Sequence, residues 1–316
     1  LGNNNSKINR VYYLISVLVL SLGAVNGIAD TSAIAVLYPE VRAPYDRIFK
    51  DIVEGVKQGS KTPVVTYALT ADDERQKVSA WLQQSDLTTV ISLGSRGKAI
   101  ASSLPADFNV IVGASILSDD NAAQGHIGIS LSPAPGKMFA KLKELVPSVK
   151  TVNVIYHPQT NEWLVALAKR KAGENNLQLV ATPATDVREA AKLYKKLLAK
   201  NVRGESAIWL LQGDPTLDER GLLPIILSQA WNKNHVVFSS NPSHVKRGAL
   251  FSLFPDNIRM GVSLSDKALQ VMQGKDRDIE PLEDLLIAVN IRTAEHLGLK
   301  ISRAQARKFN LVFPVK

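Results

Sequence analysis

"TVNVIYHP", Thr151 to Pro158, echoes "AIAVLYPE", Ala33 to Glu40. Each is an apolar run that ends in tyrosine with proline close behind, and each opens a cycle of short apolar runs alternating with helical periods. After the first come Ile48, Phe49, Ile52, Val53 and Val56 at helical spacing, then "PVVTYAL" from Pro63. Next are a helix with Thr70 as its cap and Val78, Trp81 and Leu82 inward, "TTVISL", a further helix, and "NVIVGAS" from Asn109. After the second come a helix with Trp163, Leu164 and Leu167, the strand "LQLVAT", and a helix opened by a capping box, Asp186 with Glu189. "SAIWLLQ", a helix with Leu222, Ile225, Ile226 and Trp231, and "HVVFSS" close that cycle. Strands that read as continuous apolar runs are buried on both faces, as in a parallel sheet flanked by helices. Two such cycles predict an α/β chain with two doubly wound parallel-sheet lobes.

No Pro/Ser-rich linker separates the cycles. The connection runs through "HIGISLSPAPGKMF", where strand-like His126 to Leu131 meets a helix beginning near Pro135. Beyond Phe238 a loop, "SNPSHVKRG", leads to the strand "ALFSLF", and Asp256 can cap a long helix that ends near Gly274. That helix and a final strand, Leu285 to Val289, lie outside the second cycle and are expected to fold back, giving a hinge of several strands. The expected lobes are residues 30–130 with 255–283, and residues 131–254 with 284–316.

At the start, Lys7 and Arg10 precede the apolar stretch Val11 to Val25, and the small-residue site Gly27-Ile28-Ala29 follows. This reads as a signal peptide over residues 1–29, with cleavage after Ala29. A retained signal anchor is the alternative, although the apolar core is shorter than the roughly 20 residues that cross a bilayer. The remainder exceeds one typical core of about 100 to 150 residues, as two lobes require. Cysteine is absent, which excludes disulfides, thiol catalysis and the lipid-bearing cysteine of a lipoprotein. The formal charge of +9 falls to +7 without Lys7 and Arg10. The densest basic stretches, Lys169 to Lys171 and Lys192 to Arg203, lack interleaved aromatics and read as solvated helix faces, not a nucleic-acid surface.

In an open parallel sheet, ligands bind outside the carboxyl ends of the strands. In the first lobe that rule selects Tyr38, Tyr45, the group Gly94-Ser95-Arg96-Gly97-Lys98, and Ser115. In the second it selects Tyr156, Asn161, Gln212, Asp214, Ser240 and Asn241, with Asp256 at the return crossing. "LGSRGKA", Leu93 to Ala99, ends a buried strand and precedes a short helix-like stretch, Ile100 to Leu104, so an anion is expected near its amides. An ammonium group would look to Asp214 or Asp256, and the tyrosines could stack on a flat ligand body. Each tyrosine equally suits packing at the edge of a core, and Ser95 equally suits a helix cap. Hydroxyls, amides, aromatic faces and one or two carboxylates are the groups that orient a small polar or zwitterionic molecule.

"LGSRGK" is not a nucleophile elbow, because Leu93 stands where that motif needs glycine. It also lacks the spacing of a phosphate loop. The histidines at 126, 157, 235, 244 and 296 are scattered, so neither a Ser/His/Asp hydrolase nor a metal site is indicated. No cofactor is implied.

"LSPAPGKMFAKLKELVPSVKTVNVIYHPQTNEW", Leu131 to Trp163, resembles the midsection of the bacterial ABC-transporter substrate-binding proteins that include tryptophan- and tyrosine-binding members. "LLIAVNIRTAEHLGLKIS", Leu285 to Ser302, and "KRGALFSLFPDNIRMG" resemble later blocks of the same family. The resemblance implies a type I periplasmic-binding-protein fold and capture of a small solute, an amino acid among the candidates, for an ABC permease. It implies a cleft lined by Ser95 and its neighbours, Ser115, Asn161, Gln212 to Asp214, Ser240, Asn241 and Asp256. Arg96 and Lys98 depart from the family's small apolar run, and His157 stands in place of its usual asparagine, so the ligand does not carry over. The expected product is a free periplasmic monomer, not a lipoprotein. A sensory protein presenting its closed form to a membrane receptor or kinase is the alternative. An enzyme on paired lobes would need a poised acid or base. A LacI-type repressor would need a helix-turn-helix where the signal stands.

Overall fold

The computed structural model describes residues 33–316, apart from 73–74, 119–120, 122–123, 201–203, 276 and 315–316. The expected signal segment, 1–29, lies outside the described residues. Two sheets organise the rest. The first contains β1 (Ile34–Pro39), β2 (Val64–Leu69), β3 (Thr89–Leu93), β4 (Asn109–Ser115), β5 (Ile127–Pro133) and β11 (Ile279–Leu282), in the order β11-β5-β4-β3-β1-β2. All its pairings are parallel. The second contains β6 (Thr151–Tyr156), β7 (Gln178–Pro183), β8 (Ser206–Leu210), β9 (Val236–Ser239), β10 (Phe251–Pro255), β12 (Leu285–Asn290) and β13 (Leu311–Phe313). Its order is β13-β12-β10-β9-β8-β6-β7. Only β10 and β12 pair antiparallel.

Period-two alternation sends successive side chains to opposite faces of each sheet. Ile34, Val36 and Ile91 meet Ile52 and Val56 of α1 (Asp46–Gly59) together with Met260 and Leu264 of a helix from late in the chain, Asn257–Met272. Ala35, Leu37 and Val90 meet Val78 and Leu82 of α2 (Arg75–Gln84) and Ile100 of α3 (Gly94–Ala101) on the other face. In the second sheet Val152, Val154 and Trp209 face α4 (Pro135–Leu145) and α5 (Pro158–Glu174). Ile155, Ile208 and Val237 face α6 (Val187–Leu198) and α7 (Leu222–Asn232). Trp209 anchors an aromatic line, edge-on to Phe139 at 5.5 Å and parallel to Phe238 at 6.2 Å, with Phe251 beyond at 5.2 Å. Each such pair adds about 0.5–1.5 kcal/mol beyond its buried area.

Several local expectations change. Helix α3 starts at Gly94, not near Ile100, because Gly94 takes φ +74° and turns the chain straight from β3 into the helix. Ala71 and Asp72 form a turn after Thr70, and the start of α2 ahead of Arg75 lies outside the described residues. Asp186 accepts from the Glu189 amide as expected, but Glu189 returns its carboxylate to Thr185, one residue upstream of a true capping box. "SNPSHVKRG" is not all loop, since Pro242–Lys246 forms α8, capped by Asn241. Asp256 caps the late helix, α9, through the Arg259 amide. Leu285–Asn290 is not the last strand; β13 follows it after α10 (Ile291–His296) and α11 (Arg303–Ala306). Ile48 and Ile225 face solvent at 39% and 59% exposure, outside the buried stripes of their helices.

The chain passes between the sheets three times: from β5 into α4, from β10 into α9, and from β11 into β12. These crossings are hydrogen-bonded to one another. The Ala134 amide donates to the Leu282 carbonyl at 2.8 Å, and the Asp256 amide to the Asp284 carbonyl at 3.0 Å. The Asp284 carboxylate accepts from Ser263 and, at 3.2 Å, from Arg259, both on α9.

Helix α9 seats on α1 backbone to backbone. A Cβ on Gly55 would lie 1.9 Å from the Ile258 carbonyl oxygen, and one on Gly261 would lie 2.1 Å from that of Ile52. Only hydrogen fits at either place. Gly55→Ala should therefore destabilise the fold by about 1–3 kcal/mol or more through forced separation of the helices, as read from the urea midpoint.

Candidate functional site

All three crossings leave or enter at the carboxyl ends of parallel strands, the edge at which open α/β sheets bind ligands. The two edges touch there. Gly213, in the loop after β8, has φ +68°, and a Cβ built on it would lie 2.5 Å from Cδ1 of Ile116, in the loop after β4.

On the first edge, Ser95 is exposed, one residue inside α3. The N-cap of that helix is Leu93, so Ser95 is not the cap. Arg96 turns aside to donate to the Leu69 carbonyl at 2.8 Å, tying α3 to the end of β2. Lys98 donates to the Ile116 carbonyl at 3.2 Å and so holds the loop that touches Gly213. Gly97 faces β3, where a Cβ would come within 2.9 Å of Ser92. Its lack of a side chain serves helix–strand packing. Ser115 is buried at the end of β4, Tyr38 is half-buried against the first core, and Tyr45 is 66% exposed where α1 begins.

On the second edge one carboxylate organises everything. Asp214 is 5% exposed; Oδ2 accepts from the His157 amide and from Asn161 Nδ2, both at 2.8 Å, and Oδ1 accepts from the Thr216 amide and hydroxyl. It thereby fastens the loop after β8 to the start of α5. Four donors fill its oxygens, so Asp214 positions the edge and does not stand open to an ammonium group. Tyr156 is also committed: its ring lies in the core, its hydroxyl donates to Glu162 at 2.6 Å, and its pKa is pushed up to about 12 by burial and by Glu162. Ser240 accepts from the Trp209 indole at 3.0 Å. Gln212 is half-buried, and Asp256 gives one oxygen to its helix cap.

Asn241 belongs to a second network. His244 Nε2 meets Glu219 at 3.2 Å and Nδ1 meets Ser239 Oγ at 2.8 Å, while Asn241 Nδ2 donates to the same Glu219 oxygen at 3.2 Å. A carboxylate only accepts, so the neutral imidazole carries its proton on Nε2 and accepts from Ser239 at Nδ1. This Ser-His-Glu line has the composition of a hydrolase triad, but Ser239 is wholly buried. The line ties the loop after β8 to α8. Burial pushes the His244 pKa below its usual range, with Glu219 opposing and Arg247 reinforcing that shift. Among the described residues no group of three or more His, Asp or Glu gathers as a metal site, and no helix is long and apolar enough to cross a membrane.

Ile116, His157, Thr216, Glu219 and His244 complete the edges, and sequence reasoning did not select them. Asp214-Pro215-Thr216 carried a usable signal, since aspartate two residues ahead of threonine favours a local side-chain turn.

A family model described as ABC transporter substrate binding protein matches residues 103–307. The chain belongs to that family. Its members serve ABC transporters by binding solute, and the fold of this substrate-binding protein agrees with solved relatives. The ligand-free, open structure of CD0873 from Clostridium difficile, a substrate binding protein with adhesive properties, aligns with TM-score 0.63 at 16% identity, covering 90% of this chain and 100% of that one. An ABC domain from Streptococcus pneumoniae in complex with L-Trp aligns with TM-score 0.53 at 19% identity, covering 89% and 99%. A chain of the XylFII–LytSN complex aligns with TM-score 0.52 at 15% identity, covering 80% and 96%. These are type I periplasmic-binding-protein folds, two α/β units joined by several crossings. No curated protein matches the sequence.

Removing the organising carboxylate of this binding protein, Asp214→Ala, should cost about 2–4 kcal/mol because charged hydrogen bonds are lost and buried donors are left unpaired; calorimetric melting measures it. His244 and His235 are both held neutral by burial. The unfolded chain takes up their protons first, so their stabilising contribution is full above their ordinary value of 6.5 and is lost as pH falls through the depressed folded values. His244→Gln should flatten the fall of the urea midpoint below pH 6.5, leaving the part due to His235.

Proposed function

We propose that the chain captures a small polar or zwitterionic solute of amino-acid size between two lobes and delivers it to an ABC permease from the periplasm. The lobes are residues 30–130 with 255–283, and 131–254 with 284–316, and the three crossings are the hinge. The observation that carries this reading is the meeting of Gly213 with Ile116, one loop from each sheet, at the strand ends beside the crossings. Such a contact forms on closing and parts on opening. A ligand that touches both edges shifts the balance toward the closed form by its differential affinity.

The groups left open to a ligand differ from those with internal work. Ser95, Tyr45, Tyr38 and Gln212 stand at the edges with surface to offer, while Asn241 is engaged by Glu219 and by the cap of α8. Arg96 keeps guanidinium donors beyond the one spent on Leu69 and remains the best partner for a ligand carboxylate. Asp256, with one oxygen bound to the Arg259 amide, is better placed than Asp214 to meet an ammonium group. Ser115, Tyr156, Asn161, Asp214 and Ser240 set the shape of the edges from beneath, and Gly97 seats α3 on its strand. The XylFII–LytSN neighbour, a protein of this fold in complex with another, favours a second reading in which the closed form is presented to a membrane sensor.

X-ray scattering and calorimetry across an amino-acid panel test the proposal. A bound member should shrink the radius of gyration, and Gly213→Val, which wedges Ile116, should bind it at least about tenfold more weakly, equivalent to about 1.4 kcal/mol. Absence of compaction with every ligand that binds would overturn closure. Capture of the loaded form by a permease, or by a receptor's outer domain, separates the two readings.

A further inference from the structure

On the flank of the second sheet, none of the residues selected for the cleft lines a groove of about 520 Å³ that runs between α7, the link from α8 to β10, and the turn from β12 into α10. Its lining holds three cations, Lys246, Arg247 and Arg292, and no carboxylate. Glu219 offers Arg247 its main-chain carbonyl at 2.7 Å, while its carboxylate is taken by His244 and Asn241. No carboxylate pairs with Lys246 or Arg292 among the described residues.

The floor beneath these cations is closed on itself. Asn290 donates to the Val245 carbonyl at 2.8 Å and accepts from the Thr293 amide at 3.0 Å, and the Thr293 hydroxyl donates to the Gly248 carbonyl at 3.0 Å. One wall is equally fixed. Trp231 stacks on His296 at 3.7 Å between centroids, His296 Nε2 donates to the Trp231 carbonyl at 2.9 Å, and the Arg292 guanidinium lies 5.5 Å over the indole. Arg292 is therefore held at the rim by its aromatic seat, a contact that leaves its N–H fork for another partner.

Uncompensated like charges brought together on a rigid floor repel one another, and a multivalent anion relieves that repulsion. A single carboxylate offers two oxygens to three separate cations. A phosphate group offers three oxygens and close to two negative charges. We propose that this groove is a phosphate-binding site, the phosphate being free or carried on the headgroup of an anionic phospholipid.

The test uses the full chain, following tryptophan indole N–H resonances by NMR with Trp231→Phe as assignment, and sedimentation with vesicles. Inorganic phosphate at constant ionic strength should shift the Trp231 resonance, with affinity reduced about tenfold for each cation lost in Lys246→Ala and Arg292→Ala. Both side chains are exposed, so the variants should melt like the parent. Arg292→Lys should recover only part of the affinity, since charge without the fork is a weaker phosphate partner. Vesicles of phosphatidylglycerol in phosphatidylcholine should sediment the parent but not the double variant if the headgroup is the source. A phosphate response without vesicle binding assigns the free anion. No response to either probe, or one undiminished in the double variant, overturns the proposal. Gly213→Val, which disturbs the cleft, should leave the phosphate response unchanged, so failure of the cleft reading and failure of this one are told apart.

Discussion

The bonds between the three crossings govern the rest of the molecule. Ala134 to Leu282 and Asp256 to Asp284 join backbone to backbone where the chain passes from one sheet to the other. The Asp284 side chain then ties that knot to α9 through Ser263 and Arg259. Because all three passages are at the carboxyl ends of the parallel strands, they oblige those ends to share one side of the molecule. Every loop that can contact a solute follows from that constraint, as does the approach of Gly213 to Ile116.

Edges built this way divide labour between exposed groups and buried ones. A carboxylate such as Asp214 would be costly to bury alone, but with four donors it becomes the cheapest way to hold two loops in one register. Its worth lies in geometry. The same holds for Glu219, which gathers Asn241 and His244 and so fixes where the second edge ends. Neither network needs a ligand to be complete, so the edge is preformed.

Much of the architecture was legible because strands buried on both faces are unbroken apolar runs, as in "TTVISL" and "NVIVGAS". The missed elements lack that mark. Strand β11 reads Ile-Glu-Pro-Leu and owes its place to an outer pairing with β5 and to Glu280 bound by Lys267. Strand β13 has three residues, and α8 hides among proline, serine and histidine. At the site, the strand-end rule found the loops but not the state of their side chains. His157 and Asp214 are 57 positions apart, and Trp209 and Ser240 are 31 apart. Whether a polar group is open or already engaged depends on partners that distant, which periodicity does not reveal.

The seating of α9 on α1 has a consequence for how the chain is made. Half of the cover for one face of the first sheet, the α9 half beside α1, is supplied by residues that follow ten of the thirteen strands in sequence. A growing polypeptide emerging from the ribosome can cover this surface with Ile52 and Val56 of α1 at once, but the part beneath Met260 and Leu264 stays bare until they arrive, long after the strands beneath could pair. Contacts so far apart in the chain form slowly, and the interval leaves a half-built molecule that a chaperone can hold.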